Sequence, residues 1–227
     1  MLCIAICVSL RGQTNPGKSV NMYFCTFLDE RSDLLVFPSF GYPESLISHA
    51  VSFGYQWNRS ENLVNEIEIM PIRYCHTHDL ETIFDSLDMN YYNVGYDNKI
   101  YNSSVRYSYS YLIGLKKVNL MFGCAGKLFY YNNRIEPYTS RDYFRSVANA
   151  GITLEFLPAI QYMLTSSIGI RFDFPVPLAD LNFKRTKNEN PVLERKHQIS
   201  DQIGMYLMKR TFQFRIGLSC RIGDSLE

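Results

Sequence analysis

Apolar and polar residues alternate with a period of two along much of the chain, most clearly from residue 104 to 115. The odd positions there are aromatic or aliphatic: Val105, Tyr107, Tyr109, Tyr111, Ile113 and Leu115. The even positions are Arg106, Ser108, Ser110 and Gly114, with Leu112 as the exception. Successive side chains of a strand point to opposite faces, so this segment predicts a strand with one apolar face and one polar face. Small polar residues suit a narrow enclosed lumen and large aromatic residues suit lipid, which favours a membrane barrel.

Eight segments carry this alternation and form four predicted hairpins: 47–57 with 63–75, 104–115 with 118–131, 146–156 with 160–174, and 199–208 with 211–222. After Pro71 the apolar phase moves to Ile72 and Tyr74, which predicts a bulge or a strand edge. Most of the segments reach the roughly 9–11 residues that a tilted strand needs to cross a bilayer. The pattern therefore predicts an all-β fold, an antiparallel up-and-down transmembrane β-barrel of eight strands.

Three long connections separate the hairpins: 76–103, 132–145 and 175–198. The first is acidic and rich in tyrosine, the third is basic, and neither has helical periodicity, so both are expected to be surface loops. With eight strands assigned in this way, the short turns would lie at the extracellular end, which is the reverse of the usual arrangement. A ten-stranded alternative adds a strand within 19–28 and another within 76–103.

Composition narrows the class of protein. A chain of 227 residues is long enough for one barrel domain. The net charge of +1 provides no strong field, so nucleic acid is not expected as a partner. Aromatic residues make up 15% of the chain, but no run of about 18 apolar residues could cross a bilayer as a helix. A location in a membrane would thus require closed strands.

The amino terminus divides into two predicted regions before the barrel at 46–222. Residues 1–13 begin with an apolar run and are predicted to be a signal peptide, although a buried first strand is the alternative. Residues 14–45 form an N-terminal segment. Among the later cysteines the spacings are too wide for a zinc or redox site, and Cys124 and Cys220 fall on the apolar phase of their strands.

The segment from residue 46 to 222 resembles the small outer-membrane β-barrel proteins of Gram-negative bacteria. The resemblance depends on the dyad pattern, on aromatic strand ends such as Tyr55 and Trp57, and on a closing strand of the form Phe-x-Phe-x-Ile-Gly-Leu-x-x-Arg. It implies an outer-membrane location, contact with outer-membrane lipid, and recognition of the last strand by the barrel-assembly machinery. In that family an aromatic residue usually ends the last strand, whereas Ile222 occupies this position here.

Ten charged residues fall on inward positions of the predicted strands: Glu66, Glu68, Arg73, Arg106, Lys127, Glu155, Arg171, Asp173, Arg215 and Arg221. An eight-stranded barrel is only wide enough for side chains to fill it, and unpaired buried charges are very costly. We therefore expect mixed charges to pair across the lumen. A gated polar pore is the alternative, and both interpretations place Arg106, Arg171 and Arg215 inside.

Signals for catalysis are weak, and we assign no catalytic, cofactor-binding or metal-binding residue. His76, His78 and Asp79 could bind a metal, but such a short motif is common by chance. His49 and His197 lie beside no GxSxG nucleophile elbow. The sequence thus favours a structural or porin-like outer-membrane barrel whose loops bind an unknown ligand. The alternatives are a soluble lipocalin-like ligand-binding barrel and a barrel enzyme that acts on outer-membrane lipid.

Overall fold

The computed structural model describes residues 17–30, 45–85, 90–138, 143–207 and 211–222, so the predicted signal peptide lies outside the described residues. The elements are β1 (Lys18–Glu30), β2 (Ser45–Ser60), β3 (Leu63–Asp85), β4 (Asn90–Leu115), β5 (Val118–Pro137), β6 (Arg145–Met163), β7 (Ile168–Asp173), β8 (Val176–Asn188), α1 (Arg195–Gln198), β9 (Ile199–Leu207) and β10 (Thr211–Ile222). The described helix is too short and too polar to cross a membrane.

Eight of these strands close into a ring in which all neighbours are antiparallel. Its order is β1-β2-β3-β4-β5-β6-β7-β10, and β10 pairs with β1 to complete the circle. Strand β1 is part of the wall, so the barrel begins earlier than the predicted range of 46–222. A closed ring leaves no sheet edge along these pairings, which is the condition for a β-structure to cross lipid. The predicted eight-stranded up-and-down barrel is confirmed.

The two strands outside the ring, β8 and β9, extend the sheet beyond β7. Strands β7 and β8 both run antiparallel to β6, with a register shift between Leu154 and Glu155, and thus form one wall interrupted at Phe174 and Pro175. Strands β7 and β8 run in the same direction because both are antiparallel to β6. Strand β9 is antiparallel to β8 and β10 is antiparallel to β7, so β9 and β10 also run in the same direction. The predicted hairpin between 199–208 and 211–222 is therefore wrong.

The short turns and the long connections lie at opposite ends of the barrel. Residues 61–62, 116–117 and 164–167 connect paired strands at the end that also holds the start of β1 and the end of β10. The turn at 164–167 replaces the predicted turn at Pro158, because β6 continues through that proline to Met163. Outer-membrane barrels usually have short turns at the periplasmic end, where both chain ends of the barrel also lie, so the predicted reversal is wrong.

Several strands continue beyond the predicted segments toward the extracellular end. Strands β3 and β4 stay paired from Arg73–Asn102 to Asp85–Asn90, and β8 lies within the third predicted loop. The expected loops 76–103 and 175–198 are thus largely extended strands. Their alternation is weak because strands above the bilayer need no lipid-facing phase. The phase change predicted at Pro71 is confirmed by a register shift between Met70 and Arg73.

The two faces of the wall have opposite polarity. Large apolar side chains are exposed on the outer face, for example Phe24, Phe53, Tyr107, Leu154 and Leu218. The inward phase holds buried polar groups and small residues. A soluble lipocalin-like barrel would place its apolar phase inside, so this alternative does not fit the structure. Cys124 and Cys220 are exposed on the outer face, as their phase predicts.

Candidate functional site

The lumen contains a network of buried ion pairs centred on Arg215 and Arg171. Both guanidinium groups are almost completely buried and share Asp173, which lies 2.6 Å from Arg215 Nη2 and 2.7 Å from Arg171 Nε. Arg171 also pairs with Glu66 at 2.9 Å, and Arg215 pairs with Glu68. These contacts join β3, β7 and β10 across the barrel, so they fix the distance between opposite walls.

Tyr23 of β1 lies between the two arginines. Its ring centroid is 4.6 Å from the Arg215 guanidinium carbon and 5.6 Å from that of Arg171, and its hydroxyl donates to Glu66. Cation–π contacts strengthen when the groups are removed from water, as both are here. A Cβ added at Gly217 would overlap the Tyr23 ring, so this position of the ring requires glycine on the paired strand.

A second set of pairs continues the network toward β5 and β6. Arg106 lies 3.3 Å from Glu68 and 3.0 Å from Glu155, whose other carboxylate oxygen is 2.6 Å from Lys127 Nζ. Four carboxylates and four bases thus form one connected network: Glu66, Glu68, Glu155, Asp173, Arg106, Lys127, Arg171 and Arg215. Their formal charges cancel, which limits the desolvation cost of the group.

Eight of the ten predicted inward charges are therefore members of this network, and Arg106, Arg171 and Arg215 lie inside as predicted. The side chain of Arg73 lies outside the described residues, and Arg221 is half-buried near the periplasmic end. Gln56, on the polar phase of its predicted strand, accepts a hydrogen bond from Arg171, but sequence reasoning missed Asn21 and Tyr23, which donate to Glu66. The weak alternation of β1 concealed them, because Tyr23 and Cys25 are apolar residues on the inward phase.

An apolar cluster lies on the inner side of β3, β4, β5 and β6, nearer to the short turns than the ion pairs. Val64, Leu112, Met121 and Ala159 are buried together near the ends of their strands at the periplasmic turns. Leu112, the exception in the alternation of β4, is thus an inward residue of this cluster.

The three histidines whose side chains the structure describes lie away from the lumen network. His49 stacks on Phe24 on the outer face, with ring centroids 5.3 Å apart, and His197 is exposed in α1. His76 Nε2 lies 3.2 Å from Asp97 on the extracellular extension. Among the described residues, no three potential ligands of the His, Cys, Asp and Glu types converge on a metal position, and the side chains of His78 and Asp79 are outside that set.

Charged pairs also mark the extracellular end of the outer face. Arg185 on β8 makes two hydrogen bonds to Asp201 on β9, of 2.8 and 2.9 Å. The Arg185 guanidinium holds the pKa of the Asp201 carboxyl below its ordinary value, chiefly through these hydrogen bonds. On β4, the hydrogen bond to Glu136 raises the pKa of Lys99. These exposed pairs contribute little to stability compared with the lumen network.

Solved structures of outer-membrane barrels resemble this chain. A major outer membrane protein from Thermus thermophilus is similar over 91% of this chain and 100% of its own, with 6% identity and a TM-score of 0.51. Neisserial surface protein A is similar over 91% and 97%, with 13% identity and a TM-score of 0.47. The outer membrane protease OmpT from Escherichia coli is similar over 94% and 100%, with 6% identity and a TM-score of 0.49.

No protein-family model and no curated protein sequence matches the chain. The closed antiparallel ring and the likeness to the Thermus protein show the fold, while the exposed apolar outer face and the polar inner face show that this fold is built to face lipid. The chain has the fold of an outer-membrane β-barrel protein, with an apolar outer face suited to lipid.

Proposed function

We propose that this protein is a non-conducting outer-membrane barrel that acts at its extracellular end by binding a ligand. The observation that carries the proposal is the lumen network, in which four bases and four carboxylates pair with one another across the ring. A porin would keep a hydrated passage, whereas an eight-stranded barrel has room only for its own side chains. The apolar cluster at Leu112 and Met121 adds a second closure.

The extracellular strands support a role in binding. Strands β3, β4, β5, β6, β8 and β9 continue beyond the part of the wall in which β1 takes part, and together they present an extended inner surface. A barrel that only filled the membrane would not need these extensions. A rigid barrel below and long strands above is an arrangement that holds a recognition surface in a fixed position.

Two further partners belong to the proposal. Lipid of the outer membrane would cover the exposed apolar face, which includes Phe53, Tyr107 and Leu154. The barrel-assembly machinery would insert the chain by way of its last strand, β10, whose outward phase includes Ile216 and Leu218.

Conductance in planar lipid bilayers tests the closed lumen. The wild-type protein, shown to be folded by its heat-modifiable mobility in gels, should give no stepwise currents. Arg171→Ala removes the guanidinium between Glu66 and Asp173 and should admit small steps. Arg185→Ala, which changes an exposed pair on the outer face, is the matched control and should remain silent. Steady currents through the folded wild-type barrel would show that the proposal is wrong.

A further inference from the structure

The inner wall above the ion pairs consists of three rows of side chains that cross β4, β5, β6, β8 and β9. Direct cross-strand neighbours share one face of a sheet, and the pairing of these strands is regular in this region. Arg106, Lys127 and Thr153 are neighbours in the top row of the charged network and face the lumen. Residues two, four and six positions farther along each strand therefore face inward as well.

The first row above the network is Ser104, Phe129, Gly151, Asn182 and Gly204. A Cβ at Gly151 would come within 2.8 Å of the Phe129 ring. The absence of a side chain at Gly151 thus lets this ring lie against the inner wall. This row offers an aromatic surface beside the amide of Asn182, whose Nδ2 donates to the buried Asp180 in the row below.

The second row is Asn102, Tyr131, Asn149, Lys184 and Gln202. The Oδ1 atoms of Asn102 and Asn149 are buried and have no hydrogen-bond partner. Gln202 is exposed at the β9 end of the row. The row therefore leads from an open end at β9 to buried amide oxygens at β4 and β6.

The third row is Ile100, Asn133, Val147, Thr186 and Ser200. Asn133 is only 1% exposed, yet neither its Nδ2 nor its Oδ1 has a hydrogen-bond partner. A buried amide without partners costs free energy, so it is rare in native proteins. Asn133 lies two residues along β5 from Tyr131 of the second row and therefore on the same face of the sheet.

The chemistry of these fifteen positions is specific. They include five amide side chains, three small hydroxyl side chains and two aromatic rings, but no carboxylate and only one base, Lys184. Divalent cations need carboxylates, nucleic acids need several bases, and acyl chains need a continuous apolar lining. Amides donate and accept at once, which matches vicinal hydroxyl groups.

We propose that this inner wall binds a neutral saccharide, with Asn102, Asn133, Asn149 and Gln202 hydrogen-bonding its hydroxyl groups. Phe129 and Tyr131 offer ring surfaces for the apolar face of the sugar. The inference rests on the proposed function, since it names the ligand class of the extracellular end. Ligand entry is from the β9 side, where Ser200 and Gln202 are exposed.

Binding is tested with the full-length folded barrel in detergent, using isothermal titration against maltohexaose, cellohexaose, chitohexaose and isomaltohexaose. At least one of these neutral probes should bind. Asn149→Ala and Gln202→Ala should each weaken binding by about three- to tenfold, the equivalent of one neutral hydrogen bond. Asn132→Ala changes an amide of β5 whose Oδ1 is also buried without a partner but which lies on the outward phase, so it is the matched control, and unchanged affinity is expected.

Each alternative outcome is decisive. Failure of all four neutral probes to bind, binding of dextran sulfate alone, or an equal loss in Asn132→Ala would overturn the saccharide assignment. Asn133→Leu keeps the size of the side chain and removes its polar atoms, so it tests the site even if the alanine variants fold poorly. Conductance is recorded on the same samples. A barrel that conducts no current and binds no sugar contradicts only this inference, whereas a barrel that conducts current contradicts the proposed function.

Discussion

Strands β4, β5 and β6 carry two kinds of polar inner wall, one above the other. In the lower wall, Arg106, Lys127 and Glu155 are charged and paired. In the upper wall, Asn102, Asn133 and Asn149 are neutral and keep buried atoms without partners. The same alternation produces both walls. Inward polarity alone therefore does not define a role: the charges of the lower wall pair with one another, whereas the amides of the upper wall keep the hydrogen-bonding capacity on which the proposed saccharide site depends.

The largest loss of stability is expected when one partner of an ion pair in the lumen network is removed. Arg215→Ala leaves Glu68 and Asp173 buried without this base, which should cost about 3–5 kcal/mol of unfolding free energy. Urea unfolding in lipid vesicles, followed by the mobility shift in gels, measures this loss. Arg185→Ala at the exposed pair is the control and should change the midpoint very little. Equal effects of the two variants would mean that the lumen network does not stabilise the barrel.

A charge on the outer wall should have the next largest effect. Leu154 lies on the apolar outer face, next to the inward Glu155 in sequence. Leu154→Arg should destabilise the barrel by up to about 2–4 kcal/mol, because the guanidinium would face hydrocarbon. The same unfolding assay in vesicles measures this change. If Leu154→Arg left the stability unchanged while Arg215→Ala reduced it, Leu154 would lie outside the bilayer.

The packing of Tyr23 inside the lumen predicts a smaller loss of stability. Gly217→Ala would press a methyl group into the Tyr23 ring and should cost about 1–3 kcal/mol. Gly126→Ala is its control, since an added Cβ there would have no heavy atom within 4 Å. Thermal unfolding of both variants in detergent provides the comparison. If both were equally stable, Tyr23 would be free to move away from Gly217.

The upper wall should tolerate loss of polarity. Asn133→Leu removes two buried atoms that have no partner, so its stability should match or exceed that of the wild type by up to about 1 kcal/mol. Urea unfolding measures the change alongside Arg215→Ala. A loss as large as that of Arg215→Ala would show that Asn133 stabilises the folded barrel, and the contrast between the two walls would disappear.

The smallest expected change in stability is the pH dependence of the ion pair between Arg185 on β8 and Asp201 on β9. Arg185 lowers the pKa of Asp201 in the folded state, so the pair contributes fully above the usual Asp pKa of about 3.9. That contribution is lost as the pH falls through the lower folded-state value. Amide-exchange protection factors of β9 should therefore decrease between pH 6 and pH 3. Arg185→Gln should show a smaller decrease, and an identical decrease would exclude this pair as the cause.

The sequence predicted the wall better than the connections. Residues 104–115 showed the inward and outward phases correctly because a lipid-facing strand must alternate. Strand β1 was assigned only in the ten-stranded alternative, since Tyr23 and Cys25 are apolar on the inward phase. The extensions of β3 and β8 were interpreted as loops, because strands above the bilayer lack a uniform apolar face. Pro158 was assigned to a turn, although β6 continues through it.

The period of two is a local property, and the sequence alone therefore determined that strands would have one lipid face and one polar face. It also placed Arg106, Arg171 and Arg215 on the inner side. Only the tertiary structure decided which charges pair, because Arg215 and Glu68 are 147 residues apart and meet only when the ring closes. Closure also determined which polar side chains are satisfied. It joined Arg171 to Glu66 and Asp173, and it left the amide of Asn133 buried without a partner.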